Sequence, residues 1–318
     1  MTIINTQIKG GGGSQPVGAL GINTNGVHNV AQYEYADVQV PTTAPALYRE
    51  FYILNDTLMP SATTTHKIDF TGIKYIYSFL LAYAYYDNTA ITGAVNMGDL
   101  TNIDTSSACL AAFRGCTGLT SVDLSSVTTI NGNIACTYMF FQCSGITSIK
   151  LYSLTTIGGQ NGCQYMFADC TNLTSVNLSS LTTVTGGGAC NGMFQGCTRL
   201  SSVDLSGLTT LSGGQDFSSI FSGCTSLTSV NFSSLATANQ SYAFTSAFYN
   251  CTSLQTVYFG GTTAIDFGTR KNQFQSMFSG CTQNIDVYAP AANQTQIEAF
   301  SGYPNFGGTG TVTWHWRS

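Results

Sequence analysis

The sequence predicts an α/β repeat solenoid, a right-handed array of about eight 27-residue units with a small β module before it and a cap after it. Three observations carry that reading. The segment CTNLTSVNLSSLTTV, Cys170 to Val184, returns 27 residues away as CSGITSIKLYSLTTI from Cys143 and as CTRLSSVDLSGLTTL from Cys197. Each copy holds a short alternating run in which Val122 and Leu124, or their equivalents, face one side and Ser121, Asp123 and Ser125 the other. Hydrophobic residues make up 43% of the chain and charged residues only 8%, where soluble globular proteins average about a quarter charged. The surface must therefore be built from Ser, Thr, Asn, Gln and Gly.

Taken in order, residues 1–15 read as a flexible arm ending in Gly10 to Gly13. Residues 16–60 read as a small β docking module. Asn25-Gly26 marks a turn there, Val27, Val30 and Tyr33 alternate on one side, and Tyr35, Val38 and Val40 follow before Pro41. Leu47 to Asp56 reads as one more strand.

The solenoid occupies residues 61–290. Its frame runs through Ile68, Val95, Val122, Ile149, Val176, Val203, Val230 and Val257 at 27-residue steps, then admits three extra residues before Val287. After each strand, Val127 and Ile130 or their equivalents turn the chain inward. Loops such as NGNIA, GGQNG, TGGGA and SGGQD follow, and their glycines are expected to supply positive φ. Cys136, Met139, Phe140 and Cys143 then fall at i, i+3, i+4 and i+7, the spacing of a short inward-facing helix. Residues 291–318 read as a helix–strand cap ending in TVTWHWRS.

Eleven cysteines invite a disulfide or metal reading. The repeat favours buried free thiols over both. Cys109, Cys136, Cys163 and Cys190 share their position with Phe217, Phe244 and Phe274, so the site accepts any apolar group. Cys116, Cys143, Cys170, Cys197, Cys224, Cys251 and Cys281 form the other set, seven residues on. In a helix that offset is about 10 Å, beyond disulfide reach. No metal and no other cofactor is expected.

The recurring Met-Phe-x-x-Cys-Thr-x-Leu-x-Ser-Val core, as in MFADCTNLTSV, MFQGCTRLSSV and IFSGCTSLTSV, resembles the BspA-type leucine-rich repeat over about Ile68 to Val287. The resemblance implies binding without catalysis, as in bacterial surface adhesins and the surface proteins of some protists. Ser-Ser or Ser-Gly after the strand, where that family often has Pro, is a departure. Separately, GINTNGVHNVAQYEYADVQVP, Gly21 to Pro41, resembles a segment found in tail and virion proteins of gut-bacterial phages, with His28 in place of the usual Tyr. That second resemblance implies a virion protein assembled in the host cytoplasm and joined to other virion proteins through residues 1–60. A bacterial cell surface is the alternative location.

Candidate contact residues lie on the outward strand positions, a ladder of Asp69, Asn96, Asp123, Lys150, Asn177, Asp204, Asn231 and Tyr258. Carboxylates, amides and rings in one strip suit a host-surface glycan or protein. The plainer reading is a solvated face whose side chains hydrogen-bond along the stack. Lys150, Tyr152 and Tyr258 break the regularity and are the better contact candidates. Trp314 and Trp316 share one face of the last strand, where a terminal cap is favoured over a sugar-stacking pair.

Other classes find little support. With Lys+Arg 10 against Asp+Glu 15 there is no basic footprint for nucleic acid. The N-terminus lacks the pattern of a secretory signal, and Tyr75 to Tyr86 is too short to span a bilayer, so no membrane insertion is expected. His28, His66 and His315 have no metal-ligand spacing, and neither a Gly-x-Ser-x-Gly elbow nor a phosphate loop occurs. An enzyme is not expected. A homo-oligomer is left open.

Overall fold

The computed structural model describes the backbone of residues 20–23, 26–29 and 66–69, and residues 81–83, 85–89 and 91–318 in full. β1 (Leu20–Asn23) and β2 (Gly26–Asn29) pair antiparallel with Asn23 opposite Gly26. The arm of residues 1–15, the strands expected between Tyr33 and Asp56 and the part of the apolar run over residues 75–80 lie outside the described residues.

From β3 (His66–Asp69) onward the chain is a parallel-sheet solenoid of about eight turns at the 27-residue spacing. One side carries β3, β4 (Ile91–Asn96), β5 (Leu119–Asp123) and β7 (Ser148–Lys150) as a four-stranded parallel sheet. It continues as a six-stranded sheet of β9 (Ser175–Asn177), β11 (Ser202–Asp204), β13 (Ser229–Phe232), β15 (Thr256–Phe259), β16 (Ile285–Pro290) and β17 (Val312–Arg317). The second side is a five-stranded sheet of two-residue strands: β6 (Thr129–Ile130), β8 (Thr156–Ile157), β10 (Thr183–Val184), β12 (Thr210–Leu211) and β14 (Thr237–Ala238). Register follows the repeat without slip through the two-residue strands and from β9 to β15, as in Val203 against Val176 and Val230. It shifts where β4 meets β3, between His66 and Ile68, and where β4 meets β5, between Gly93 and Ala94. Thr155, Thr182 and Thr209 each donate their hydroxyl to the carbonyl of the threonine one coil earlier, at 3.0 to 3.2 Å.

The third side differs from expectation. Cys136, Met139, Phe140 and Cys143 do point inward and are buried, but they lie on a chain of turns. Met139 N–H donates to Cys136 O and Cys143 N–H to Phe140 O, both at 3.1 Å, closing turns within the coil. Alternate residues donate across coils, Tyr138 N–H to Gln164 O and Phe140 N–H to Met166 O. Every fourth residue takes positive φ: Ile134 at 48°, Tyr138 at 55° and Gln142 at 61°. A spiral of four-residue turns also places i, i+3, i+4 and i+7 on one face, so spacing alone could not separate it from a helix. The physical preference is clear. A two-turn helix leaves four N–H and four C=O groups unpaired at its ends, whereas stacked turns pair those groups with the neighbouring coil. A helical segment does occur beyond the strands of the array, in a 3-10 turn (Ala291–Asn293) and α1 (Gln294–Glu298).

All eleven cysteines are buried free thiols. The seven of the second set have a specific role. Cys170 Sγ donates to Phe140 O at 3.3 Å and Cys197 Sγ to Phe167 O at 3.2 Å, and the other five repeat the contact one coil back. A small apolar side chain with a weak donor fits a buried carbonyl that needs a second partner. Burial pushes these thiols up, Cys116 to about 12 and Cys281 to about 11. The phenylalanines beside them form one column, Phe113, Phe140, Phe167, Phe194, Phe221 and Phe248, stacked at 5.2 to 6.0 Å.

The paired glycines also work differently from expectation. Gly159, Gly186 and Gly213 are not among the residues of positive φ. Each instead lets two coils approach: a Cβ on Gly186 would overlap the carbonyl of Gly159, and one on Gly159 that of Gly132. Within these loops the expectation holds at Gly188 of TGGGA, at 68°, and positive φ recurs in the turns that follow, at Gly192 and Gly196.

One buried group departs from the repeat. Asp216 is fully buried where neighbouring coils have Ala189 and Ala243. Its Oδ2 accepts the Gly213 N–H at 2.7 Å, while Oδ1 has no partner. Burial pushes its carboxyl up to about 8 against the opposing pull of the Gly213 and Ala189 backbone. Above about pH 4 the unfolded chain releases a proton that the folded chain keeps. Stability therefore falls as pH rises from about 4 toward about 8, by at most about 1.4 kcal/mol per unit. Asp216→Ala is expected to flatten that slope and to exceed the natural protein in stability at pH 7, as measured by urea unfolding at several pH values.

Candidate functional site

The outward strand positions form the expected ladder in register: Asp69 beside Asn96, Asn96 beside Asp123, Asp123 beside Lys150, and Asn177, Asp204, Asn231 and Tyr258 in turn. Two differences from the sequence reading matter. The ladder is not one unbroken sheet, because no strand pairing joins Lys150 to Asn177 among the described residues. Its amides and carboxylates are also spent mainly within their own coil, Asp123 alone of the four that follow reaching on to the next coil, at Lys150. Asp123, Asn177, Asp204 and Asn231 each accept the backbone N–H two residues on, from Ser125, Ser179, Ser206 and Ser233, at 2.9 to 3.0 Å. These are Asx turns that bend the chain out of the strand. Asp and Asn recur there because the coil needs them.

That separates the residues the fold requires from those it does not. At Lys150 the Asx turn is absent because an ammonium cannot accept the backbone N–H two residues on, and Tyr152 stands where the coils of Asp123, Asn177, Asp204 and Asn231 have serine. Lys150 Nζ instead reaches Asp123 Oδ2 at 2.6 Å. Partial burial alone would push the Asp123 carboxyl up, but hydrogen bonds from Lys150 and Ser125 hold it below the ordinary carboxylate range. The hydrogen bond with Asp123 raises Lys150. An exposed pair of this kind contributes little to stability. Tyr152 stands 49% exposed beside it, and the sheet breaks at this coil.

The second irregular stretch is longer than the sequence reading supposed. Tyr258 pairs with Tyr288, and Tyr288 with His315. Their rings stack at 4.8 Å and 4.6 Å with interplanar angles of 16° and 17°. His315 Nε2 lies 2.8 Å from Asp286 Oδ1. Tyr288 and His315 were legible: each follows the frame residue, Val287 or Trp314, as Asp123 follows Val122. Rings stacked in this way turn their faces to each other along the solenoid and their edges outward. The strip therefore presents phenol hydroxyls and carboxylates, a hydrogen-bonding edge and not a flat apolar platform.

Trp314 and Trp316 lie on the opposite, core side of β17. Trp314 packs against Phe274, Tyr303 and Phe306 at 5.9 to 6.2 Å and donates Nε1–H to Pro304 O. Trp316 stacks on Trp314 at 5.6 Å. They are thus apart from the ladder and partly close the end of the core. A further aromatic group was missed in the sequence: Arg114 lies 5.0 Å over both Tyr86 and Phe141 on the turn side. Its guanidinium already fills the cage those rings make.

A stack of short parallel strands, inward leucines and cysteine-bearing turns at this period defines a leucine-rich repeat protein. The chain belongs to the BspA-type leucine-rich repeat family: that family's model matches in 6 copies, over residues 78–214, 137–272 and 190–306. No curated protein matches it. Among solved structures, it is similar to a leucine-rich repeat protein of T. pallidum, with 19% identity over 77% of this chain and 86% of that one and a TM-score of 0.39. It is also similar to a leucine-rich cell surface protein of Faecalibacterium prausnitzii, with 14% identity over 99% and 87% and a TM-score of 0.22. The assignment rests on the family match alone. Among the described residues no group of His, Cys, Asp or Glu is arranged to hold a metal, and no helix is long and apolar enough to cross a membrane.

Proposed function

We propose that the chain is a non-enzymatic surface interaction protein whose strand face binds a hydroxyl-rich ligand, a glycan of a host or mucosal surface. One observation carries this reading: the ladder departs from its Asx-turn residues at Lys150 with Tyr152 and at Tyr258, Tyr288 and His315, where the fold makes no demand for them. Edges carrying phenol hydroxyls beside the carboxylate of Asp286 and the amide of Asn231 suit a ligand read by many hydrogen bonds. Stacking of Tyr288 between Tyr258 and His315 also orders these side chains before a ligand arrives, which lowers the entropic cost of binding.

Display at a surface belongs to the same reading. The family resemblance to surface adhesins supports a cell surface. The Gly21 to Pro41 segment, with the Gly-rich arm and the nearly uncharged surface, supports a virion with residues 1–60 as its docking part, and nothing in the comparisons points to a bacteriophage. A second reading, a decoration or spacer protein without a ligand, fits the coils in which every ladder residue closes an Asx turn. A glycan array probed with the full chain separates the two. Binding that weakens at least tenfold in Lys150→Asn/Tyr152→Ser or in Tyr258→Asn/Tyr288→Asn supports the interaction protein. Absence of binding to glycans and to mucin-coated surfaces supports the spacer.

A further inference from the structure

The open edge of β17 carries a second inference, independent of the ladder's ligand. Among the described residues no strand pairs with the far side of β17. On its near side β17 pairs with β16 over six residues without a bulge. Ile285 N–H donates to Thr311 O at 2.8 Å. The alternation of parallel pairing then turns the backbone groups of Thr313, His315 and Arg317 toward β16, and those of Trp314 and Trp316 toward the open edge. Val312 N–H is already taken by Asn305 Oδ1.

Proteins guard such edges with Pro, outward charges or bulges. β17 has neither Pro nor bulge, and Arg317 is turned back, its guanidinium donating to Phe259 O and Gly260 O. The side chains are also incompletely covered. Ile285, Val287 and Ala289 of β16 are buried, while their neighbours Trp314 and Trp316 stay partly exposed.

We propose that this edge is a dimer interface, occupied by β17 of a second copy of the chain running antiparallel about a two-fold axis at His315. Self-complementarity of the strand makes a second copy the occupant. This register sets Trp314 opposite the partner's Trp316 on the core side, and Thr313 opposite the partner's Arg317 on the ladder side. A one-residue slip would set tryptophan against polar residues. The register also uses only the unspent backbone groups, those of Trp314 and Trp316, in four hydrogen bonds. It closes after two copies, as an isologous contact must, and it joins the two ring ladders into one strip.

The test uses the full chain in analytical ultracentrifugation, with tryptophan emission read across the same concentrations. Both tryptophans of the protein lie on this edge, so emission should shift to the blue as a dimer forms. Trp316→Pro removes an N–H that only the partner would use, at an edge position where proline is tolerated. Trp316→Glu keeps the backbone and sets a charge opposite the partner's Trp314. Both variants should be monomers with the far-UV spectrum of the parent, and Trp316→Phe should remain a dimer. A parent that stays monomeric at every concentration, an open series of larger species, or a dimer that survives Trp316→Glu would overturn the proposal.

Discussion

Gly186→Val is expected to destabilise the solenoid by about 3 kcal/mol or more, while Gly187→Ala, one residue on, leaves it unchanged or slightly more stable. The contrast follows from where each Cβ would point. At Gly186 it would overlap the carbonyl of Gly159 and come within 2.7 Å of Gly158 O. Both are backbone atoms of the preceding coil, so no rotamer change relieves the overlap, and the stack must part locally. At Gly187 the only atom within 4 Å is Gly214 O, at 3.9 Å, so an alanine there fits and narrows the unfolded ensemble. Urea unfolding followed by far-UV circular dichroism measures both. In a quasi-one-dimensional array a broken interface in the middle divides the stack, so Gly186→Val should also broaden the transition.

Phe194→Ala is expected to cost about 3–5 kcal/mol, as full deletion of a buried ring does elsewhere. Phe194 is fully buried and stacks between Phe167 at 5.9 Å and Phe221 at 6.0 Å. Truncation removes contacts on both faces, and the flanking rings cannot close the gap because each is fixed by its own coil. Cys224→Ala removes the thiol that donates to Phe194 O and should cost clearly less, since that carbonyl keeps the Cys197 N–H at 3.2 Å. The same urea experiment ranks the two.

The solenoid was legible because its period is written into the chain. Comparing coils showed Cys136 and Phe244 to be equivalent, and so assigned the cysteines to the core. The turn side was less legible. Cys136, Met139, Phe140 and Cys143 satisfy a helix and a four-residue turn spiral equally well. The distinguishing signal lay in the outward residues: Gly115, Gln142, Asp169, Gly196, Gly223, Asn250 and Gly280 share one position, rich in residues that accept positive φ. The role of Gly159 and Gly186 could not be read, because it depends on how closely two coils approach. The same holds for the ladder. A column of Asp and Asn looks like a binding strip until the hydrogen bonds to Ser125, Ser179, Ser206 and Ser233 show that each closes its own turn. Tyr288 and His315, in contrast, needed only that the frame be carried past the three-residue insertion.

On the proposed function, recognition resides where the ladder departs from what the coil requires. The most direct measurement returns those positions to the repeat in one protein, Lys150→Asn, Tyr152→Ser, Tyr258→Asn and Tyr288→Asn together, and reads thermal unfolding and surface binding side by side. The expected result is a melting curve close to that of the natural sequence, with binding to the glycan array or mucin surface abolished. Binding that persists undiminished in a folded variant would contradict the claim and place the recognition surface elsewhere on the solenoid.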